Sequence, residues 1–482
     1  MPESALYALF GLSVLLGFAA WVFAFGTRPA LWLCLLLLPF RIVLPPSVGA
    51  VFGFENMFLV PDLLVPLTFL LWAVRRAAGR PDGQGSAGPL LPRAFILVVV
   101  AFLLSFGSGV NPRAFLSELE KWVVYVMTFL LVSQGLRDRA DIAKAVNILL
   151  LGGLLATTRD LAAYLNLFHL PSPLGYVPNR DAFLLSSFHL QRYQGTGWPV
   201  FIYTLFLFLF ARLALQWPSL RRIERWGLAG YAGLLLTLLV LSLYRGDWLA
   251  LAGAMGAGLL LPGIVPPRAV RAMVGAGIVA VLLVAGLWGE QMRVGAGARL
   301  RTLFNPLQEV NVLARLDAYA VAWDMFRSRP LNGIGLGQYG VAFESYGGVT
   351  PFGVAVDPSY FQQANSDYFQ YLATTGVLGL GALAVLIGSL LRRNYRLLKA
   401  VTEPALRAPL LACLLASVGF LITALSQDPL WDKTYGTLQF TVFGMVSAIG
   451  RMVQRESPPA APDDHGPVPV GAAQGTGRGA QR

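Results

Sequence analysis

Apolar runs long enough to cross a bilayer recur from one end of the chain to the other. A crossing helix needs about 20 consecutive, mostly apolar residues. Runs of that kind lie near 5–26, 30–46, 57–75, 94–109, 114–135, 142–165, 198–216, 227–244, 247–264, 274–289, 366–391, 408–425 and 437–450. Helices satisfy their own backbone in lipid, so the pattern predicts an all-α integral membrane protein, a multi-span bundle of about 12–13 transmembrane helices over 1–455. Two polar stretches interrupt it, a first outer loop at 166–197 and a large, partly helical outer loop at 290–365. Within the second, RLDAYAVAWDMFR at 315–327 sets Leu316, Tyr319, Ala320, Trp323 and Phe326 at helical spacing, an amphipathic stretch suited to the membrane surface. Pro330 ends it, and NGIGLGQYG follows as a tight turn re-entering the membrane region. The Pro-, Gly- and Ala-rich tail at 456–482 has no apolar periodicity and reads as disordered and cytoplasmic.

Composition sharpens this picture. The 482 residues are 56% hydrophobic and 13% charged, against about 25% charged in soluble domains. A net charge of +12 is the expected excess of basic loops on the cytoplasmic side, so nucleic acid is not a predicted partner. Arg75, Arg76 and Arg80, then Arg137 and Arg139, then Arg221, Arg222 and Arg225, then Arg268 and Arg271, then Arg392, Arg393, Arg396 and Lys399 all fall on one side if the spans alternate. The first segment lacks a basic n-region and a small-residue cleavage site and reads as a retained helix. Cys34 and Cys413 lie inside apolar spans and predict no disulfide.

The same orientation leaves several arginines outside, where they are normally scarce. Arg245 sits with Asp247 in a short turn between two apolar spans, Arg192 precedes the span from Trp198, and Arg315 heads the amphipathic stretch. Each has an ordinary explanation, snorkelling to lipid phosphate or pairing with Asp181 or Asp317. Together they describe a basic cavity at the outer surface, and the planar guanidinium fork matches phosphate. Gly335, Gly337 and Gly340 spell G-x-G-x-x-G, but no strand precedes them and no βαβ unit surrounds them, so a dinucleotide site is not predicted. The cluster Gln362, Gln363, Asn365, Ser366, Asp367 opens the span from 366. Asn365 or Ser366 is placed to cap that helix and Asp367 to favour its dipole; the same helix end suits an anion or a sugar hydroxyl, with Tyr368 beside it. No His/Cys/carboxylate set has metal-ligand spacing, so neither metal nor other cofactor is expected.

These elements resemble a known family. RLDAYAVAWDMF, RPLNGIGLGQYG and NSDYFQYLATTGVLGL, from Arg315 to Leu380, are similar in order and spacing to the signature region of the O-antigen ligase and O-antigen polymerase superfamily, membrane glycosyltransferases of the GT-C type. The resemblance implies transfer of a glycan from an undecaprenyl-diphosphate carrier to a lipid or glycan acceptor at the outer face of a bacterial inner membrane. Membrane lipids and polysaccharide-assembly proteins are the implied partners. Arg192, Arg245 and Arg315 match the family's diphosphate-binding arginines by position. Ligases carry His-Asn where this chain has Asn365-Ser366, and asparagine is no general base at ordinary pH. Asp367, Glu344 on the large loop, or His189 on the first loop are the alternatives for that role. A carrier of small anions is the rival class, since an arginine-lined cavity suits it too, and a non-catalytic scaffold is a third.

Overall fold

The computed structural model describes residues 20–22, 24–44, 58–78, 92–164, 184–185, 190–191, 199–242, 244–261, 263–267, 310–346, 351–353 and 362–456, with Gly17, Gly275 and Leu307 singly. The predicted spans near 5–26 and 274–289, most of the loop at 166–197 and the tail after Glu456 fall largely or wholly outside these residues. Helices α1 (Thr27–Leu37), α2 (Val65–Ala77), α3 (Arg93–Phe106), α4 (Pro112–Gly135) and α5 (Arg139–Tyr164) form the first part. Then come α6 (Pro199–Gln216), α7 (Arg222–Leu241) and α8 (Arg245–Leu259). After them lie α9 (Val310–Ser328), α10 (Tyr339–Tyr346), α11 (Asp367–Ala400), α12 (Pro404–Thr423) and α13 (Lys433–Glu456). A two-residue antiparallel pairing, Leu184–Leu185 with Leu190–Gln191, is the only strand ladder among the described residues. Among the described residues, five helices, α5, α6, α7, α11 and α12, are long and apolar enough to cross a membrane by length and composition.

Helix α13 lies at the centre and packs on α4 and α12. Every residue from Lys433 to Gly450 is buried. Small residues allow the close approach: a Cβ on Gly436 would stand 2.1 Å from the Tyr125 ring, and one on Gly444 would stand 2.8 Å from Val132. The helix is nevertheless flecked with polar groups. Gln439 donates to Ser417 Oγ at 2.8 Å, while Thr437 and Thr441 donate to carbonyls one turn back. A helix surrounded by protein tolerates satisfied polar groups, which is why its apolar run in the sequence is short.

Helix α11 is broken. Gly376 has φ 64° and ψ −164°, outside the helical region. The gap is filled by the chain after α9. The amides of Ile334 and Gly335 donate to the carbonyls of Ala373 and Thr374 at 3.0 and 2.9 Å, and the amides of Val377 and Leu378 donate to Pro330 and Leu331 at 2.9 and 3.1 Å. Four backbone groups freed by the break are thereby paired. The glycine-rich turn exists for this contact. A Cβ on Gly333 (φ 67°) would meet the Thr374 carbonyl carbon at 2.3 Å, and one on Gly376 would meet the Leu331 oxygen at 2.3 Å. Gly335 and Gly337, also at positive φ, press on Gly109 and Ala114. The turn therefore packs into the break of α11.

The contacts define two ends. At one, Arg139 pairs with Glu403 (3.0 Å) and Glu456 (2.7 Å), Gln216 donates to the Pro404 carbonyl and Arg407 to that of Gly263. At the other, Arg329 and Asn332 bond to Ser108, and Gln338 exchanges two bonds with the backbone of Asn111. The latter end carries the site.

Candidate functional site

The site is organised by the connection between α12 and α13, Ala424–Asp432. Its carbonyls take the first amide of α11: Asp367 N–H donates to Ala424 at 3.1 Å and Gln427 at 3.3 Å. Ser366 Oγ also donates to Ala424, at 3.0 Å. Asp367 returns the contact, its Oδ2 accepting from the Leu430 amide at 3.0 Å. The predicted side-chain cap is corrected here. Ser366 occupies the N-cap position without capping through its hydroxyl, because neighbouring backbone already serves the helix end. Tyr368 likewise turns away, donating to the Leu421 carbonyl of α12 at 3.0 Å.

Asn365 adopts φ 54°, a left-handed conformation asparagine tolerates better than most side chains. Tyr319 of α9 holds this bend. Its hydroxyl reaches the carbonyls of Asn365 (3.3 Å) and Leu425 (3.2 Å), and its ring stacks on Phe369 at 4.5 Å. The face of α9 turned to the protein is Ala314, Ala318, Val321, Ala322 and Met325, so Trp323 is left exposed on the other side. Arg315 forms no ion pair with Asp317. That aspartate is fully buried and accepts from the Phe352 amide at 2.9 Å.

The Arg315 guanidinium lies within electrostatic reach of Asp428 instead. Asp428 is 9% exposed, and neither carboxylate oxygen makes a well-formed hydrogen bond. Burial raises its pKa from 3.8 to about 7. The nearby amides of Asn365 and Ser366 and the Arg315 guanidinium hold the rise back, while Glu118 adds to it. Asp367 lies within electrostatic reach, and its Oδ1 lacks a hydrogen bond, as do Arg315 Nε and Asn365 Nδ2. Unsatisfied buried polar atoms are uncommon and concentrate where a ligand completes them. Here four residues from three segments present such atoms together.

The rest of the connection is anchored by charge. Arg41 pairs with Asp432 at 2.5 Å and lies over the Phe58 and Tyr435 rings. Lys433 bridges Asp62 (2.7 Å) and Glu120 (2.6 Å). Asp62, which stands out in the sequence as an ionisable residue inside a span, lies in a π-helical turn before α2 and serves this anchor. Lys121 pairs with Glu118 at 2.7 Å and covers Trp431.

Of the predicted residues, Asn365, Ser366, Asp367 and Arg315 come together. Arg245 opens α8 on the same side. Its neighbour Asp247 is fully buried and accepts from Thr423 (3.2 Å) and Gln427 (2.8 Å), which ties that helix to the connection. Glu344 is exposed on α10 and makes no hydrogen bond or ion pair with these residues. His189 and Arg192 lie outside the described residues. Sequence reasoning missed Asp428 altogether. Its signal was modest, an Asp-Pro in LSQDPLWDK, the polar break between the last two spans. Among the described residues, no group of three or more His, Cys, Asp or Glu is placed to hold a metal ion.

A buried, polar, partly unsatisfied cluster thus sits at one end of a helix bundle that contains helices apolar enough to cross a membrane. A family model described as O-antigen ligase matches residues 230–384, from within α7 to the middle of α11, so this segment is similar to that family. The match supports an O-antigen ligase-like character for this segment. No curated protein matches the chain. The matched stretch takes in Arg245, Arg315 and Asn365–Asp367 and stops short of Asp428.

Proposed function

We propose that the protein transfers a glycan from an undecaprenyl-diphosphate donor to a hydroxyl of a lipid or glycan acceptor, with Asp428 as general base. The observation that carries this reading is the buried Asp428 carboxyl, poised near neutrality beside Arg315. A glycosyl diphosphate already has a good leaving group. Its transfer needs positive charge at the departing phosphate and a base for the acceptor. Arg315 and Arg245 supply the first, with Arg192 as the further candidate from the first loop, and no metal ion is required in this scheme. A base is most effective when its pKa lies near the working pH, and Asp428 meets that condition. Asp367 then acts as the positioning residue, fastening the connection through Leu430.

In this reading the site end faces outward and the opposite end, rich in arginine, faces the cytoplasm along with the chain's C-terminus. The break in α11 does not favour a carrier. In transporters the ends of broken helices hold the solute, whereas here the turn Pro330–Gly335 already occupies them.

The test is a two-substrate assay. Purified protein receives an undecaprenyl-diphosphate glycan with or without acceptor, and free lipid diphosphate is measured. Release that depends on acceptor and disappears in Arg315→Ala supports the proposal. Uptake of glycan or anion into proteoliposomes without diphosphate release overturns it.

A further inference from the structure

The end of the bundle opposite the site holds a cavity of about 740 Å³ between the last turns of α11 and α13. That lies within the ~300–1,000 Å³ common for small-molecule sites. Its walls differ along their length. Toward the bilayer they are Ala384, Val385 and Gly388, all exposed; toward the helix ends they are Arg392, Arg393 and Arg396. A Cβ on Gly388 would meet no atom within 4 Å, so the glycine borders open space. On the far wall a Cβ on Gly450 would approach the Arg393 guanidinium to 2.8 Å, so glycine is what lets that half-buried group lie on α13.

The three arginines form no ion pair among the described residues, although Arg139 at the same end has found both Glu403 and Glu456. The negative ends of α11 and α13 offset part of their charge. They leave the planar donor forks unfilled, and these forks match phosphate oxygens. An amphiphile is the ligand that satisfies both walls, with an acyl segment along Ala384–Gly388 and a phosphate at the arginines. Basic pockets between membrane helices at the headgroup level suit anionic lipids in this way.

We infer that the cavity between the ends of α11 and α13 is a binding site for an anionic phospholipid, the phosphate held by Arg392, Arg393 and Arg396. It is separate from the transfer site and does not depend on that reading.

The experiment loads the purified full-length protein in detergent with phosphatidylglycerol, phosphatidylcholine or inorganic phosphate, and measures bound lipid by mass spectrometry after gel filtration. Wild type is expected to retain phosphatidylglycerol over phosphatidylcholine. Arg392→Ala/Arg393→Ala/Arg396→Ala should lose roughly tenfold in retention. Gly388→Leu, which fills the apolar wall and keeps every charge, should lose a similar factor and decides the question if the triple variant fails to fold. Arg221→Ala/Arg222→Ala/Arg225→Ala, three arginines from the same end outside the cavity, should retain lipid as wild type does. Equal retention of both lipids, or wild-type retention in Gly388→Leu, overturns the inference. So does displacement by inorganic phosphate at concentrations equal to the lipid's, which would mean a free anion is the ligand.

Discussion

Replacing Asp428 by asparagine separates the chemistry of the site from its stability, because the two respond in opposite directions. The rise in pKa from 3.8 to about 7 corresponds to ~4 kcal/mol held against the ionised carboxylate. The sign follows from linkage. With its pKa raised in the folded state, the carboxyl's stabilising contribution is complete below the unfolded value near 4 and disappears as pH climbs through about 7. At pH 8 the wild type therefore carries a buried charge that Arg315 favours and Glu118 opposes. Asp428→Asn never ionises. It should unfold at a higher temperature than wild type at pH 8, by the equivalent of up to ~4 kcal/mol, with the difference closing by pH 4. Glycan transfer should instead fall about 10²–10⁴-fold, the usual range for a lost general base. In wild type the transfer rate should rise with pH through neutrality as Asp428 loses its proton. Thermal unfolding in detergent and lipid-diphosphate release, both followed from pH 4 to 8, read the two effects on one preparation. Wild-type transfer by Asp428→Asn would refute the assignment of the base. A variant no more stable than wild type at pH 8 would refute the account of the buried charge.

Other parts of the structure make separate predictions. Gly376→Ala puts a side chain at φ 64° and 2.3 Å from the Leu331 oxygen, so it should cost at least ~3 kcal/mol in unfolding, while Gly381→Ala, where a Cβ meets nothing within 4 Å, should cost nothing measurable. Arg315→Ala should abolish transfer, and Arg315→Lys should restore only a minor part, since the ammonium keeps the charge and loses the fork; full rescue by lysine would argue against a two-pronged phosphate contact. Lys433→Met leaves the buried Asp62 side chain and the partly exposed Glu120 without their cation and should destabilise by about 3–5 kcal/mol, a loss that adding Asp62→Asn partly reverses in thermal unfolding. Tyr319→Phe removes the donor to Asn365 and Leu425 and should loosen the site by ~1–3 kcal/mol, visible as faster proteolysis or hydrogen exchange of the connection before α13.

The helical class was legible because the apolar runs are long and repeat, and Gly333, Gly335 and Gly337 announced a tight turn. What the turn is for was not legible, since its partner at Gly376 lies some forty residues further on and is disguised as part of a continuous helix. Asn365, Ser366 and Asp367 could be singled out as candidates because polar residues at the mouth of a span are conspicuous. Their roles were misjudged: capping rules consider one helix end alone, and here the carbonyls of Ala424 and Gln427 take the amide first. Asp428 escaped because a single acid in a short break looks like any loop residue, and its value comes from burial against segments more than 60 and more than 100 positions away.

The interlock at Gly376 also bears on how the chain enters the bilayer. The stretch around Leu331 is synthesised before the second half of α11, so the mate of the break is already made when the break itself emerges. If α11 entered lipid alone with this break in place, four bare peptide groups would face hydrocarbon at several kcal/mol each. In its broken form this hydrophobic segment therefore needs an earlier, far less greasy piece of the protein to be seated against it, which makes the two a single unit within the bilayer.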